Sequence, residues 1–334
     1  MVQSENPVDE ARKRFLDAVP KGCSSSETIP LLEAKGRILA DDLSASMDDP
    51  PYSRSIMEGY VVGVSDLCQA SEDRPVLLEV AGEVLVGQGT AEGLGAGKVL
   101  QVTTGSFIPS GAYAVVRAWD VKRTGNQIAV SKPVAPNENI EVQGELRKKG
   151  SPLLKKGHRI SPDEVFLLAS QGILAVKVVC APRVALFSSG NEVISPSEPF
   201  KVGAIWDCNH YGLSSLIEVA GGCPLFQGIM KDDFVLFTKK LKAGLEAADM
   251  AVISGGTAVG GEDFTAKLLN AAGSPGTLVN GIPMRSGKPI VLGVVNGKPV
   301  VCVAGHPPEA ARGFQLFGAH VIAHLMGADL PAES

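Results

Sequence analysis

The carboxyl-terminal half of the sequence alternates short apolar runs with helix-type segments, and this alternation constrains the fold more than any other feature. In chain order the pattern predicts a strand at Val184–Ser188, a helix after Asn209, a strand at Leu225–Ile229, a helix from Asp232, a strand at Met250–Ser254 and a helix from Asp263. Such an order predicts an α/β fold with an open, mostly parallel sheet covered by helices. Two further apolar runs, 289–295 and 300–304, flank the hairpin signal Asn296-Gly297 before a long apolar helix that ends near Met326.

The amino-terminal half has a different pattern. One helix is predicted over residues 8–19, and a second short helix is predicted to carry Leu31, Leu32 and Ile38. Short β-type runs separated by Gly, Pro and Asn then fill residues 47–142, which predicts a small β domain; they are Val76–Val80, Lys98–Thr103, Tyr113–Arg117 and Gln127–Ser131. A further helix begins at Ser161, where Glu164 can close a capping box, and it ends at Gly172.

Composition excludes several classes of protein. The net charge of −5 argues against a nucleic-acid surface spread over the protein. The basic run Arg147-Lys148-Lys149 is either a solvated loop or a local anion-steering patch. No run approaches the ~18 apolar residues of a membrane span, and no basic segment leads into an apolar stretch at the amino terminus. We therefore expect a cytoplasmic protein that binds neither nucleic acid nor membrane.

Cysteine and histidine patterns do not predict a metal site. The six cysteines are scattered without a CxxC pair, which indicates reduced core residues. His320 and His324 are spaced to share one helix face, but their helix is apolar and lacks the glutamate of an HExxH motif. We interpret both as structural.

Loops that follow the predicted parallel strands are the places to look for a ligand, because ligands of open α/β sheets bind beyond the carboxyl ends of the strands. Three loops stand out: 188–192, 254–263 and 304–307. The second has four glycines and leads into a helix, so backbone N–H groups and the helix dipole favour a phosphate there, although a tight turn has the same composition. It is neither a GxGxxG nor a GxxxxGK[ST] motif, so NAD and P-loop nucleotides lose support.

Charged residues recur near these loops. If the carboxylates converge on a bound phosphate, a divalent ion such as Mg²⁺ is the natural bridge; they are Glu192, Asp207, Asp233, Glu262 and Asp263. An aspartate that begins a helix, such as Asp233 or Asp263, is more often a cap than a ligand. Arg285 and Lys288 are either phosphate-neutralising cations or solvated loop charges.

Taken together, these motifs resemble the molybdopterin molybdenumtransferase family, whose relatives include the carboxyl-terminal domain of gephyrin. Ten motifs occur in the family's order: Gly36-Arg37-Ile38-Leu39-Ala40, Ser55-Ile56-Met57-Glu58-Gly59-Tyr60, Thr104-Gly105 with Pro109, Gly144-Glu145, Val184-Ala185-Leu186-Phe187-Ser188, Asp207 with Asn209, Asp232-Asp233, Ser254-Gly255-Gly256 through Asp263, Gly287-Lys288-Pro289, and Gly305 with Pro307. The resemblance implies a segmented amino-terminal domain (1–46 and 143–180), an inserted β domain (47–142) and a molybdopterin-binding α/β domain (181–330), in a homodimer.

The resemblance also implies a chemistry and a site. Members of the family take adenylylated molybdopterin and molybdate and, with Mg²⁺, release AMP while the metal is placed on the dithiolene; acceptor enzymes for the cofactor are the expected partners. The implied catalytic residues are Asp233, Asp263, Glu192, Lys288, Arg285 and Glu58, and Glu192 and Asp263 would bind the metal. The implied cofactor-binding residues are Ser189, Gly190, Asp207, Ser254, Gly255, Gly256, Gly260, Gly305 and Thr104. Glu58 and Thr104 would come from the partner subunit.

The sequence departs from the family at several of these motifs. Glu58 replaces an aspartate, Asn191 and Leu146 replace acidic residues, Arg285 replaces a lysine, and Glu309 replaces a serine near the proposed anion site. The similarity ends near residue 326, before the family's usual carboxyl-terminal β domain. A non-catalytic carrier of molybdopterin, or a scaffold protein, therefore stays an alternative to the enzyme.

Overall fold

A computed structural model describes residues 6–22, 25–89, 93–111, 113–256, 264–284 and 287–328. The chain divides into two compact units. The first unit comprises 1–41, 155–166 and 174–334, and the second comprises 42–154 and 167–173. The three-domain boundaries given above stay a prediction.

The helices and strands of the described ranges are numbered here in chain order. The α-helices are α1 (Pro7–Asp17), α2 (Pro162–Ser170), α3 (Asn209–Val219), α4 (Phe234–Ala247), α5 (Phe264–Ala272), α6 (Pro307–Gly313) and α7 (Ala319–Leu325). The strands are β1 (Ser26–Pro30), β2 (Leu43–Ser44), β3 (Arg54–Ser55), β4 (Gly59–Gly63), β5 (Val76–Val84), β6 (Lys98–Val102), β7 (Tyr113–Arg117), β8 (Val121–Thr124), β9 (Gln127–Val130), β10 (Ile140–Glu141), β11 (Pro152–Leu154), β12 (Ala175–Val179), β13 (Arg183–Ser189), β14 (Val193–Ile194), β15 (Ile205–Trp206), β16 (Cys223–Met230), β17 (Met250–Ser254), β18 (Pro275–Met284), β19 (Gly287–Val295) and β20 (Lys298–Val303). None of the helices in these ranges has the length and apolar character needed to span a membrane.

The main sheet of the first unit has six strands in the order β16-β13-β17-β20-β19-β18. The first four are parallel, whereas β19 and β18 run antiparallel to their neighbours. Asn296-Gly297 joins β19 to β20, with both residues at positive φ as a tight hairpin requires. The open, mostly parallel α/β sheet is therefore confirmed, together with its hairpin.

Both faces of this sheet are buried, which explains why its central strands are continuously apolar. Along β13, Val184 and Leu186 pack into one core cluster, whereas Ala185 and Phe187 pack into the cluster on the opposite face. Residues of α1, α3 and the segment 307–325 complete the first cluster. Residues of α4 and α5 complete the second. The strand ends are consequently fixed from both sides.

The second unit contains a separate six-stranded sheet in the order β7-β4-β6-β5-β9-β8. All its neighbouring strands are antiparallel except the parallel pair β5 and β6. Its strands contribute to two core clusters: Tyr60, Val62 and Val116 pack into one, whereas Val61 and Val115 pack into the other. The four β-type runs predicted in this region all form strands.

One predicted helix is wrong, one strand was not predicted, and one predicted helix is interrupted. Leu31–Glu33 forms only a 3₁₀ turn, because Pro30 precedes it and Gly36 adopts a φ of 79° that ends any helix there; Ile38 instead bridges Arg159. Strand β18 was not predicted, because its sequence lacks the alternation of an edge strand. The segment predicted as one apolar helix to Met326 runs through α6, a π-helical turn at Phe314–Gly318, and α7.

The capping box predicted at the start of α2 is confirmed. The Ser161 N–H donates to Glu164 Oε2 at 2.6 Å, and the Glu164 N–H donates to Ser161 Oγ at 3.4 Å. Gly172 adopts a φ of 68° just after the helix. Both ends of α2 are therefore set by the local sequence.

Candidate functional site

A cavity of about 570 Å³ opens at the carboxyl ends of β13, β17 and β20 in the first unit. This is the position at which an open α/β sheet binds ligands. Its described lining is Ser188, Ser189, Gly190, Glu192, Val193, Ile205, Trp206, Asp207, Cys208, Asn209, Asp232, Ser254, Gly255, Gly256, Gly305, His306 and Pro307. The three loops singled out in the sequence therefore meet at one site.

Close backbone approach holds two of these loops together. Gly255 has a φ of +91°, and a Cβ atom at this position would lie 2.4 Å from the Ser189 carbonyl oxygen. Its N–H donates to the Val303 carbonyl oxygen at 3.1 Å. Position 255 therefore requires a glycine, because its φ is positive and because the Ser189 carbonyl oxygen leaves no space for a Cβ atom.

Asn209 connects the loops from the start of α3. Its side-chain nitrogen donates to Ser254 Oγ and to the Gly305 carbonyl oxygen, each at 2.7 Å. Ser254 Oγ in turn donates to the Ala304 carbonyl oxygen at 3.3 Å. One amide group thus ties the ends of β17 and β20 to the first turn of α3.

Lys231 fixes the turn after β13. Its ammonium group donates to the carbonyl oxygens of Asn191 at 3.1 Å and Val193 at 2.8 Å. Asn191 donates in turn to Asp232 Oδ2 at 2.7 Å. The ammonium group of Lys231 is therefore hydrogen-bonded to the backbone of this turn, and the turn holds Glu192 in the cavity wall.

Three buried polar atoms in the cavity lining have no hydrogen-bond partner among the described residues. They are Ser188 Oγ, Ser189 Oγ and Asp207 Oδ2, in residues that are only 2%, 5% and 4% exposed. The other carboxylate oxygen of Asp207 accepts the His210 N–H at 3.0 Å, which fixes the side chain. Since a buried polar group without a partner costs roughly 1–3 kcal/mol, these atoms have the character of a site prepared for a polar ligand.

Eight of the predicted site residues lie in this lining: Ser189, Gly190, Glu192, Asp207, Ser254, Gly255, Gly256 and Gly305. Asp233 caps α4, where its Oδ1 accepts the Leu236 N–H at 2.9 Å, and its neighbour Asp232 is the one in the lining. Glu58 and Thr104 are exposed residues of the second unit. Gly260, Asp263 and Arg285 lie outside the described residues, as does the side chain of Lys288, whose backbone belongs to β19.

Sequence reasoning missed part of the lining. Ser188 and Asn209 lie within the motifs named above but are not among the predicted site residues, although Ser188 ends a predicted strand. Trp206 gave no signal, because its strand β15 has only two residues and exists through its pairing with β14.

The predicted structural role of His320 and His324 is confirmed: their ring nitrogens lie 3.2 Å from Arg12 Nη1 and 2.9 Å from the Val19 carbonyl oxygen.

The charge of the lining limits what can bind. Glu192, Asp207 and Asp232 are acidic, and the described part of the lining contains no lysine or arginine. Glu309 is buried in α6, outside this lining. A phosphate group would therefore need a cation beside it. No three His, Cys, Asp or Glu side chains of the described ranges cluster as a complete metal site, but Glu192 and Asp207 supply oxygen donors of the kind that Mg²⁺ prefers.

Comparison with known proteins identifies both halves of the chain. Residues 6–172 match the family model described as the MoeA N-terminal region (domain I and II), and residues 185–324 match the one described as a probable molybdopterin binding domain. A molybdopterin molybdenumtransferase of Haemophilus influenzae is 32% identical over 96% of this chain and 78% of its own length. One from Nostoc is 30% identical over 89% of this chain and 68% of its own length.

A solved structure has the same fold. The crystal structure of the molybdopterin biosynthesis moeA protein from Pyrococcus horikoshii aligns with a TM-score of 0.83 and 34% identity. The alignment covers 97% of this chain and 80% of that one. With a cavity at the strand ends of a molybdopterin binding domain and relatives along nearly its full length, the chain belongs to the MoeA family of molybdopterin molybdenumtransferases, which act in molybdenum cofactor biosynthesis.

Proposed function

We propose that this chain catalyses the Mg²⁺-dependent insertion of molybdate into adenylylated molybdopterin with release of AMP. The observation that carries the proposal is the set of buried polar atoms at the strand ends, Ser188 Oγ, Ser189 Oγ and Asp207 Oδ2. None of the described residues is a partner for these atoms, so a bound phosphorylated ligand would supply their hydrogen bonds. The names of the relatives support the substrate class.

Glu192 and Asp207 fit a magnesium ion, because Asp207 keeps a buried oxygen without a partner and Glu192 lies in the same lining. They would hold the ion, with Asp263 as the further predicted ligand. Bound there, Mg²⁺ supplies the neutralising charge that phosphoanhydride cleavage needs. Ser188 and Ser189 hydrogen-bond the ligand, and the turn held by Lys231 orients Glu192.

The proposal includes a homodimer, in which Glu58 and Thr104 of the second unit complete the site of the partner copy. Both are exposed, as residues that meet another subunit must be in the single chain. Acceptor enzymes for the cofactor are proposed as further partners.

The test is AMP release from adenylylated molybdopterin with Mg²⁺ and molybdate, compared between the wild type and Asp207→Asn. Asparagine retains an acceptor for the His210 N–H but removes the charge, so AMP release is expected to fall about tenfold to a hundredfold. Asp163→Asn, on an exposed carboxylate of α2, is the control and should release AMP as the wild type does.

Two results would contradict the proposal. If the wild type binds the ligand tightly but releases no AMP under any combination of Mg²⁺ and molybdate, the chain is a carrier. If it binds no molybdopterin at all, the scaffold interpretation is left.

A further inference from the structure

The cavity has an apolar wall that the chemistry of phosphate binding does not require. The two-residue strand β15 pairs in parallel with β14, and this pairing places Val193, Ile205 and Trp206 in the lining. Trp206 is 50% exposed and immediately precedes Asp207. Trp206 and the carboxylate that we assign to the polar part of the site thus line the same cavity.

The indole of Trp206 is held in place. Its Nε1–H donates to the Glu198 carbonyl oxygen at 3.2 Å. The ring of Phe200 packs against it edge to face, with ring centroids 5.5 Å apart and an interplanar angle of 64°. The polar atom of Trp206 is thus satisfied within the protein, and what remains exposed is aromatic surface.

A fixed, half-exposed aromatic ring in a cavity wall is suited to a planar partner. Stacking on a heteroaromatic base is worth about 1–3 kcal/mol per base, and a ring that is already ordered loses little entropy when it binds. A ligand with a phosphorylated end and a planar nitrogen heterocycle matches both parts of this cavity: buried polar atoms at the strand ends, and an aromatic wall on β15.

We infer that Trp206, supported by Phe200, stacks on the heteroaromatic ring of the bound ligand and contributes to the selection of that ring. The inference rests on the proposed function, because it names the residue that holds the ring of the same ligand. Pterin and adenine are both planar nitrogen heterocycles of the proposed substrate, and the experiment separates them.

Tryptophan fluorescence can report on Trp206, because the protein contains two tryptophans and the other can serve as a control. Trp119, in the 3₁₀ turn Ala118–Asp120 of the second unit, is 65% exposed and comparable in exposure to Trp206. In the Trp119→Phe variant all tryptophan emission comes from Trp206. Titration of this variant with molybdopterin, and separately with AMP, is expected to quench that emission with whichever ring stacks.

Substitutions then measure the contribution of the ring. Trp206→Ala is expected to weaken binding of the quenching ligand by about tenfold or more, whereas Trp206→Phe, which keeps an aromatic face, should remain within about threefold of the wild type. Trp119→Ala should bind as the wild type does. Thermal unfolding of each ligand-free variant checks that the fold is retained.

The outcomes separate this inference from the proposed function. Tight binding to the wild type without any change in Trp206 emission, together with unchanged affinity in Trp206→Ala, would overturn the stacking role and leave the proposed function standing. Failure of the wild type to bind either molybdopterin or adenylylated molybdopterin would instead overturn the proposed function itself.

Discussion

The two units differ in whether their buried serine hydroxyl groups have a hydrogen-bond partner among the described residues. In the second unit, Ser55 Oγ donates to the Met57 carbonyl oxygen at 2.6 Å, and Ser106 Oγ donates to the Val84 carbonyl oxygen at 2.9 Å. In the α/β unit, Ser188 and Ser189 are equally buried, but their hydroxyl groups have no partner among the described residues. The buried hydroxyl groups of Ser55 and Ser106 are hydrogen-bonded by folding alone, whereas those of Ser188 and Ser189 have no partner in the described part of the chain and are open to a ligand.

The difference has a cost in stability, because buried groups without partners are unfavourable. Ser254 shows that the α/β unit can satisfy such a group where it needs rigidity, since its hydroxyl is bonded to both Asn209 and the Ala304 carbonyl oxygen. The unpartnered hydroxyl groups of Ser188 and Ser189 thus lie in the cavity lining, and substitutions in the two units are expected to act on different quantities.

The largest expected effect comes from adding a methyl group to a glycine in each region. A Cβ at Gly59 would lie 1.9 Å from the Val116 carbonyl oxygen, within the pairing of β4 and β7, so Gly59→Ala should lower the free energy of unfolding by at least about 3 kcal/mol. Gly255→Ala should cost roughly 1–3 kcal/mol and also abolish ligand binding, because it pushes the Ser189 loop away. Urea unfolding and ligand-dependent thermal shifts measure the two effects.

The control for this pair is Gly82→Ala in β5, where the nearest atom to a new Cβ is Leu100 Cδ2 at an ordinary 3.7 Å. Its stability should stay within about 0.5 kcal/mol of the wild type. Normal ligand binding by Gly255→Ala would show that the close contact between these two loops does not shape the cavity.

Two serine substitutions, one in each unit, test this difference directly, and their expected effects on stability are intermediate in size. Ser106→Ala removes the partner of the Val84 carbonyl oxygen and of the Thr103 N–H, and should destabilise the protein by roughly 1–3 kcal/mol. Ser188→Ala removes a hydroxyl group without a partner, so the ligand-free protein should be unchanged or slightly more stable. Its stabilisation by saturating molybdopterin should be smaller than that of the wild type by about 1 kcal/mol.

The stability of both serine variants is measured with and without ligand, and each variant serves as the control for the other. Equal losses of ligand-free stability in Ser106→Ala and Ser188→Ala would mean that Ser188 is satisfied by folding after all. The difference between the two regions would then disappear.

The α/β unit was predictable from sequence where local signals and burial agree. Val184–Ser188 and Met250–Ser254 are apolar because both faces of the sheet are covered, so their extents followed from composition alone. Strand β18 did not, because it is held by its pairing with β19 and has no periodic pattern of its own.

The sequence predicted the loops that form the site, but it did not predict the apolar wall of the cavity. Asp207 and Gly255 lie in recognisable motifs, but Trp206 reaches the cavity through a two-residue strand that only tertiary pairing creates. The absence of partners for Ser188 Oγ is likewise invisible in sequence, because it depends on what every neighbouring atom does.

The smallest expected effect concerns Glu164, whose two carboxylate oxygens both have hydrogen-bond partners, in contrast to those of Asp207 among the described residues. Glu164 Oε2 accepts the Ser161 N–H and Oε1 is hydrogen-bonded to His158. Burial alone would raise the pKa of Glu164, but the hydrogen bonds from Ser161 and the neighbouring His158 outweigh it and lower the pKa below its usual value.

A lowered pKa in the folded state means that the ionised carboxylate stabilises the protein above pH 4.5, and that this contribution is lost as the pH falls through the folded-state pKa. Glu164→Gln keeps the capping box but not the charge, so its deficit of about 0.5–1 kcal/mol at pH 7 should become smaller when urea unfolding is repeated below pH 4.5. A deficit that stays constant between these pH values would show that the amide fails for steric reasons and that the charge of Glu164 contributes nothing.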